Sequence, residues 1–202
     1  MGTYVPFNNI DTIARFFLGF SHIEIILPML VLGFIFFNKP LVYHTCCLMF
    51  FSMLINVALK STFQVPLHPS IHHAGFAFPS GHMQLATVVY GWLALNYANT
   101  YLRIFIGIIL VGVGFGLVHF DYHTLVDVVG GAFFASLLIT IYALLKNKYP
   151  SMLSWFLGVI ATLAMPYIAW QASIPAHAWI AYCAVLVLTL SRKIVYDNSM
   201  RA

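Results

Sequence analysis

Residues 41–98 read LVYHTCCLMFFSMLINVALKSTFQVPLHPSIHHAGFAFPSGHMQLATVVYGWLALNYA, and this stretch decides the fold. It holds two apolar runs, Leu41–Leu59 and Ser80–Ala98. Each approaches the roughly 20 residues that a helix needs to cross a bilayer. Between them lies the longest polar stretch of the chain, Lys60 to His82, whose end opens the second run. Pro66, Pro69, Gly75, Pro79 and Gly81 interrupt regular structure there, so this stretch is expected to be a loop. Further apolar runs lie on both sides: Phe16–Phe37 before it, then Leu102–His119, His123–Leu145, Met152–Trp170 and Ala176–Leu190. The expected fold is all-α, a polytopic membrane helix bundle of about six to seven transmembrane helices.

Composition excludes the other classes. Of the 202 residues, 62% are hydrophobic and only 7% charged. A soluble domain carries roughly 25% charged residues. So few charges cannot coat a soluble surface, and so apolar a chain is not disordered. No repeat or low-complexity tract divides the chain. Residues 1–202 are therefore read as one integral membrane domain, with a C-terminal transmembrane hairpin at 152–190. Met1–Asp11 carries no positive charge, so no cleavable signal peptide is expected.

The nine Lys and Arg residues divide unevenly if every run spans. Arg15 and Lys60 fall on the side where the chain starts. Lys39, Arg103, Lys146, Lys148, Arg192, Lys193 and Arg201 fall on the other. Positive-inside asymmetry assigns the richer side to the cytoplasm. The expected location is a bacterial cytoplasmic (inner) membrane, with the cation-poor side facing the periplasm or exterior. Histidine marks that same side independently. His68, His72, His73, His82, His119, His123 and His177 lie at or near it, His22 lies within about two turns, and only His44 lies near the other. Polar, titratable groups gathered at one membrane face mark a site.

Two strings carry the chemistry. Pro79-Ser80-Gly81-His82 opens a helix, where free backbone N–H groups and the positive end of the dipole attract an anion. A histidine there can give a proton to a departing oxygen. His119-Phe120-Asp121-Tyr122-His123-Thr124-Leu125-Val126-Asp127 joins two other runs on the same side. His123 and Asp127 stand four residues apart and share a helix face. Asp127 is expected to take the Nδ1 proton of His123, leaving Nε2 as a nucleophile or base. Gly130 and Gly131 follow, small enough for close helix packing. Glu24, the only acid buried in the first run, reads equally well as a supporting acid of the site or as an interhelical partner. His22 and His177 read as interfacial side chains.

These strings resemble the type 2 phosphatidic acid phosphatase superfamily of membrane lipid phosphatases. Its pattern is Lys-x6-Arg-Pro, then Pro-Ser-Gly-His, then Ser-Arg-x5-His-x3-Asp. The second motif is complete at Pro79–His82, the third keeps His123-x3-Asp127, and the first keeps Lys60. The resemblance covers roughly residues 15–145. It implies a six-helix phosphatase-like core with the site at the outer face. The implied activity is phosphoric-ester hydrolysis of a membrane lipid phosphate or diphosphate, with no metal or cofactor. By the same resemblance His123 is the nucleophile and forms a phosphohistidine, Asp127 orients it, and His82 is the acid. Lys60, Ser80 and Gly81 bind phosphate.

The departures are specific. The first-motif Arg falls on Leu67, with His68-Pro69 mimicking the dipeptide one position later. The third-motif Ser-Arg falls on Gly116-Leu117. A lone lysine does not replace bidentate guanidinium groups. Three readings stand. His68, His72, His73 or His119 substitutes for the arginines, which makes His68 and His119 candidate substrate-binding residues. Alternatively the substrate is a less charged phosphodiester and the enzyme a lipid phosphotransferase, since Ser80-Gly81-His82 and His123–Val128 also resemble sphingomyelin-synthase-like enzymes. Or the chain is a catalytically impaired binding or scaffold protein. A different class, the membrane di-iron desaturases, is suggested by His68-x3-His72-His73 and His119-x3-His123. It lacks a third box, and Pro69 breaks the helix that the first would need.

Overall fold

The computed structural model describes residues 9–36, 38–67 and 75–199, with side chains up to Ser191. The described residues form eight helices and no strand: α1 (Asn9–Gly19), α2 (Ile23–Phe36), α3 (Lys39–Phe63), α4 (Gly81–Asn96), α5 (Thr100–His119), α6 (Leu125–Lys148), α7 (Leu153–Gln171) and α8 (Ala176–Ser199). Four of these, α3, α5, α6 and α7, are long and apolar enough to cross a membrane, and the bent pair α1–α2 makes a fifth. α4 and the apolar part of α8 are shorter. The outward faces carry Val111, Phe133, Leu144, Leu163 and Ile180. Exposed apolar side chains spread over every outer helix face suit a hydrocarbon solvent.

The first run was expected as one helix from Phe16 to Phe37. It is two, bent by 47°. α1 lies along the end of α5, where Gly112 and Gly116 make room. A Cβ on Gly116 would stand 2.8 Å from the Ala14 carbonyl oxygen, and one on Gly112 would strike the Phe17 ring. α2 continues to the far end of the bundle, where Gly33 meets Val42 at the start of α3. The pair is therefore bent by 47° at a short break rather than continuous.

The remaining helices alternate in direction. Asn38, Ser80, Asn99 and Thr124 accept backbone N–H bonds as N-caps of α3, α4, α5 and α6. α3 is central, packing on α4, α7 and α8. The Tyr43 hydroxyl donates to the Leu188 carbonyl at 2.8 Å and lies 3.1 Å from the Ser154 hydroxyl, which ties α3 to α8 and α7. α6 lies on α4 because of its paired glycines. A Cβ on Gly131 would stand 2.6 Å from the Ser80 carbonyl oxygen, and one on Gly130 would strike the Phe78 ring.

This alternation places described cations at two ends. Lys39 and Arg103 start α3 and α5, and Lys146 ends α6, over the Trp92 ring near the end of α4. Lys60 and Arg15 lie at the opposite end, Arg15 over the Phe120 ring. Lys60 was expected to begin a loop. It instead sits on the last turn of α3, which runs to Phe63 and ends at Gln64 in the left-handed conformation.

Candidate active site

At the cation-poor end a cavity of about 990 Å³ opens among the helix ends. Its floor is made by α3, the start of α4 and the turn before α6, through Asn56, Lys60, Gly81, His82, Tyr122 and His123. Its other wall comes from the α1–α2 break and the α7–α8 turn, through His22, Glu24, Ser173 and His177. Lys60 is the only lysine or arginine among the described lining residues.

A buried polar lattice behind the floor fixes the Pro79–His82 segment. Gln84 is fully buried and donates to the Ser52 carbonyl at 3.1 Å and the Ser52 hydroxyl at 3.0 Å. Its Oε1 accepts from Asn56 Nδ2 at 2.9 Å, and the same amide reaches the Pro79 carbonyl at 3.3 Å. The Ser80 backbone N–H donates to the Asp127 carbonyl at 2.9 Å. These bonds join α3, α4 and α6 directly beneath Gly81 and His82. Ser80 itself is buried as the cap of α4, accepting from Met83 N at 3.4 Å. Gly81 packs closely on this lattice, since a Cβ would stand 3.0 Å from Asn56 Oδ1 and the amide would have to give by a few tenths of an ångström. Asn56 and Gln84 lie outside the motifs. Their signal was two amides within otherwise apolar runs.

His123 is not on the helix face that the spacing suggested. It precedes the N-cap Thr124 of α6, and its N–H donates to the Leu117 carbonyl at 3.2 Å. Asp127 closes a capping box, its Oδ2 accepting from Thr124 N and Thr124 Oγ1, each at 2.8 Å. His123 Nδ1 lies 3.8 Å from that same oxygen, longer than a hydrogen bond. Nδ1 is buried without a hydrogen-bond partner, which leaves Nε2 as the nitrogen available to the cavity. Burial pushes the imidazole down to about 4; the Lys60 charge adds to this and the Asp127 carboxylate opposes it. The ring is therefore neutral at neutral pH, the state a nucleophile needs.

Lys60 Nζ donates to the Phe76 carbonyl at 2.7 Å and keeps two further donors for a ligand. Its charge reaches His82, His123 and His177 across the cavity. His119 does not line the cavity. Its Nε2 lies 2.7 Å from Asp11 Oδ1, and its ring stacks on Phe115. His68, His72 and His73 lie outside the described residues. Leu67, which takes the place of the first-motif arginine, lines the cavity. Gly116 and Leu117, in place of the third-motif pair, are committed to packing, Gly116 against α1 and Leu117 in the core. Arg15 is outside the lining. Three or more His, Cys, Asp or Glu side chains arranged to hold a metal are not found among the described residues. His22 and His177, read as interfacial, and Glu24, left open, all face the cavity.

Comparison with protein-family models finds a match, described as the PAP2 superfamily, over residues 41–151. This is more than half of the chain, from the first turn of α3 to just past α6. It includes Lys60, Ser80, Gly81, His82, His119, His123 and Asp127. Comparison with curated proteins and with solved structures returned no match.

Proposed function

The chain belongs to the PAP2 superfamily, whose members are generally phosphatases acting on phosphate esters, and from that premise we propose that it is a membrane-embedded lipid phosphatase. The observation that carries this reading is the convergence of Lys60, Gly81, His82 and His123 on one cavity at one end of an apolar bundle. In the proposed reaction the His123 Nε2 lone pair attacks phosphorus and forms a P–N bond. The P–O bond to the lipid breaks, and the His82 proton passes to the leaving oxygen. Neutral His82 then takes a proton from water as that water attacks phosphorus. The P–N bond breaks, and phosphate leaves. Lys60 and the N–H groups at the start of α4, with Ser80 and Gly81, hold the phosphoryl oxygens. Asp127 supports the His123 imidazolium electrostatically, while its hydrogen bonds go to Thr124.

The site is proposed to face the periplasm or exterior, because Lys39, Arg103, Lys146 and Lys148 mark the opposite end. One observation favours a second reading. With Lys60 as the only described lining cation, a phosphodiester monoanion is matched better than a monoester dianion, as in headgroup transfer between lipids. Turnover of phosphatidic acid, a polyprenyl diphosphate and a phosphodiester lipid by the purified chain, with and without His123→Ala, tests both. Phosphate release from a monoester or diphosphate supports the hydrolase, and headgroup transfer from the diester alone supports the transferase. The metal-free chemistry predicts unchanged rates in chelator. No turnover of any of the three would leave the binding or scaffold reading.

A further inference from the structure

The first span is broken where a continuous helix would have crossed most simply. Ser21 Oγ donates to the Leu18 carbonyl at 2.7 Å, and the buried Tyr90 of α4 donates its hydroxyl to the Phe20 carbonyl at 2.9 Å. Non-helical backbone within an apolar bundle is tolerated where side chains satisfy the freed carbonyls and the segment borders a cavity. Both conditions hold here. The break turns the chain by 47° and brings the His22 ring to 5.7 Å from the His82 ring. It also delivers Glu24, the only carboxylate among the described lining residues, to the same cavity.

We propose that His22 and Glu24 are positioning residues that set the charge state of His82 as the proton donor. The inference rests on the reading of His82 as the acid of the phosphatase reaction. That role requires His82 to enter each turnover as imidazolium, give its proton to the leaving oxygen and regain one from water. The ionisable groups facing the same cavity come from every surrounding element. They are His22 from the break, Glu24 from α2, Lys60 from α3, Tyr122 and His123 from the α5–α6 turn, and His177 from α8. Asp127 of α6 lies buried behind His123. Burial disfavours the His82 imidazolium most, His22 and then Lys60 add to this, and Glu24 favours it. Removing Glu24 and removing His22 should therefore act in opposite directions, which a merely structural role for the break would not produce.

The experiment uses the full chain in detergent with two probes across a pH series, reading leaving-group release in the first turnover, before His82 acts as base toward water. One is phosphatidic acid, whose alkoxide leaving group needs a proton. The other is para-nitrophenyl phosphate, whose leaving group does not. Glu24→Gln should move the alkaline limb for phosphatidic acid to lower pH, with about a tenfold loss above neutrality for one pKa unit. His22→Gln should move that limb to higher pH, and Glu24→Asp should restore part of the loss. The nitrophenyl ester should be far less sensitive to either change. Equal losses on both probes at every pH, or limbs that do not move, would overturn the proposal. His82→Ala separates the two levels. If it loses both esters equally, the acid role fails and the proposal with it. If it spares the nitrophenyl ester while Glu24→Gln and His22→Gln shift nothing, only the role of His22 and Glu24 fails.

Discussion

The two walls of the cavity are built differently. The floor is held by a set of buried and part-buried bonds: Asn56 to Gln84, Gln84 to Ser52, Ser80 to Asp127, and Asp127 to Thr124. The opposite wall is made of His22, Glu24, Ser173 and His177, on a helix break and a turn. The floor lies inside the stretch matched by the family model, and the opposite wall lies outside it. A pre-organised floor suits chemistry that needs fixed distances. A wall set on chain interruptions suits the tuning of charge and the choice of substrate. Substitutions should accordingly divide into those that abolish turnover and those that reshape it.

The largest effect should come from His123→Ala. Loss of the nucleophile should reduce turnover by about 10⁴-fold or more. Lys60→Ala should follow, at about 10²–10³-fold, because the floor then has no described cation for the phosphoryl group. Asp127→Asn should be milder than His123→Ala. Asparagine can still accept the cap bonds from Thr124 while losing the charge that supports the His123 imidazolium. Comparable losses in all three variants would erase the ranking within the floor.

Gly131→Ala tests the pre-organisation itself. The added Cβ meets the Ser80 carbonyl, so α4 and α6 must separate, at a cost of about 1–3 kcal/mol. A lowered thermal midpoint together with lost turnover is expected. Lost stability with normal turnover would show that the floor need not be held so tightly.

Much of this was legible in the chain because it is local. Pro79-Ser80-Gly81-His82 declares a helix cap, and Gly130-Gly131 declares a close helix contact. Alternating apolar runs sufficed to bring Lys60, His82 and His123 to one end. The broken first span was less legible. Phe16–Phe37 is apolar almost throughout, and its interruption depends on Tyr90, about seventy residues away. His22 and His177 looked interfacial because their facing the cavity is decided by tertiary packing. The His123–Asp127 spacing suggested a helix face, but the stronger local competitor was the capping box of Thr124. His119 looked like part of the site by residue type and side, yet Asp11 of α1 claims it.

The pH dependence sharpens the contrast. Because the His123 imidazole is pushed down to about 4, its neutral form dominates above that value. The acid limb of kcat/KM should therefore lie near pH 4 rather than near the usual histidine value of about 6.5. A limb near 6.5 would mean that His123 is more hydrated than its burial indicates. The smallest effect should come from His119→Ala, which removes a part-buried pair with Asp11 worth about 0–1 kcal/mol. Turnover should change by less than about twofold. A large loss there would extend the reactive surface beyond the cavity.

The central claim is that His123 carries the phosphoryl group. The direct measurement is to mix the purified chain with phosphate-labelled phosphatidic acid, quench within the first turnover, and locate the label by peptide mapping. The account predicts an acid-labile, base-stable phosphoryl group on His123 that is absent in His123→Ala. A label on another residue, or full turnover by His123→Ala, would contradict it.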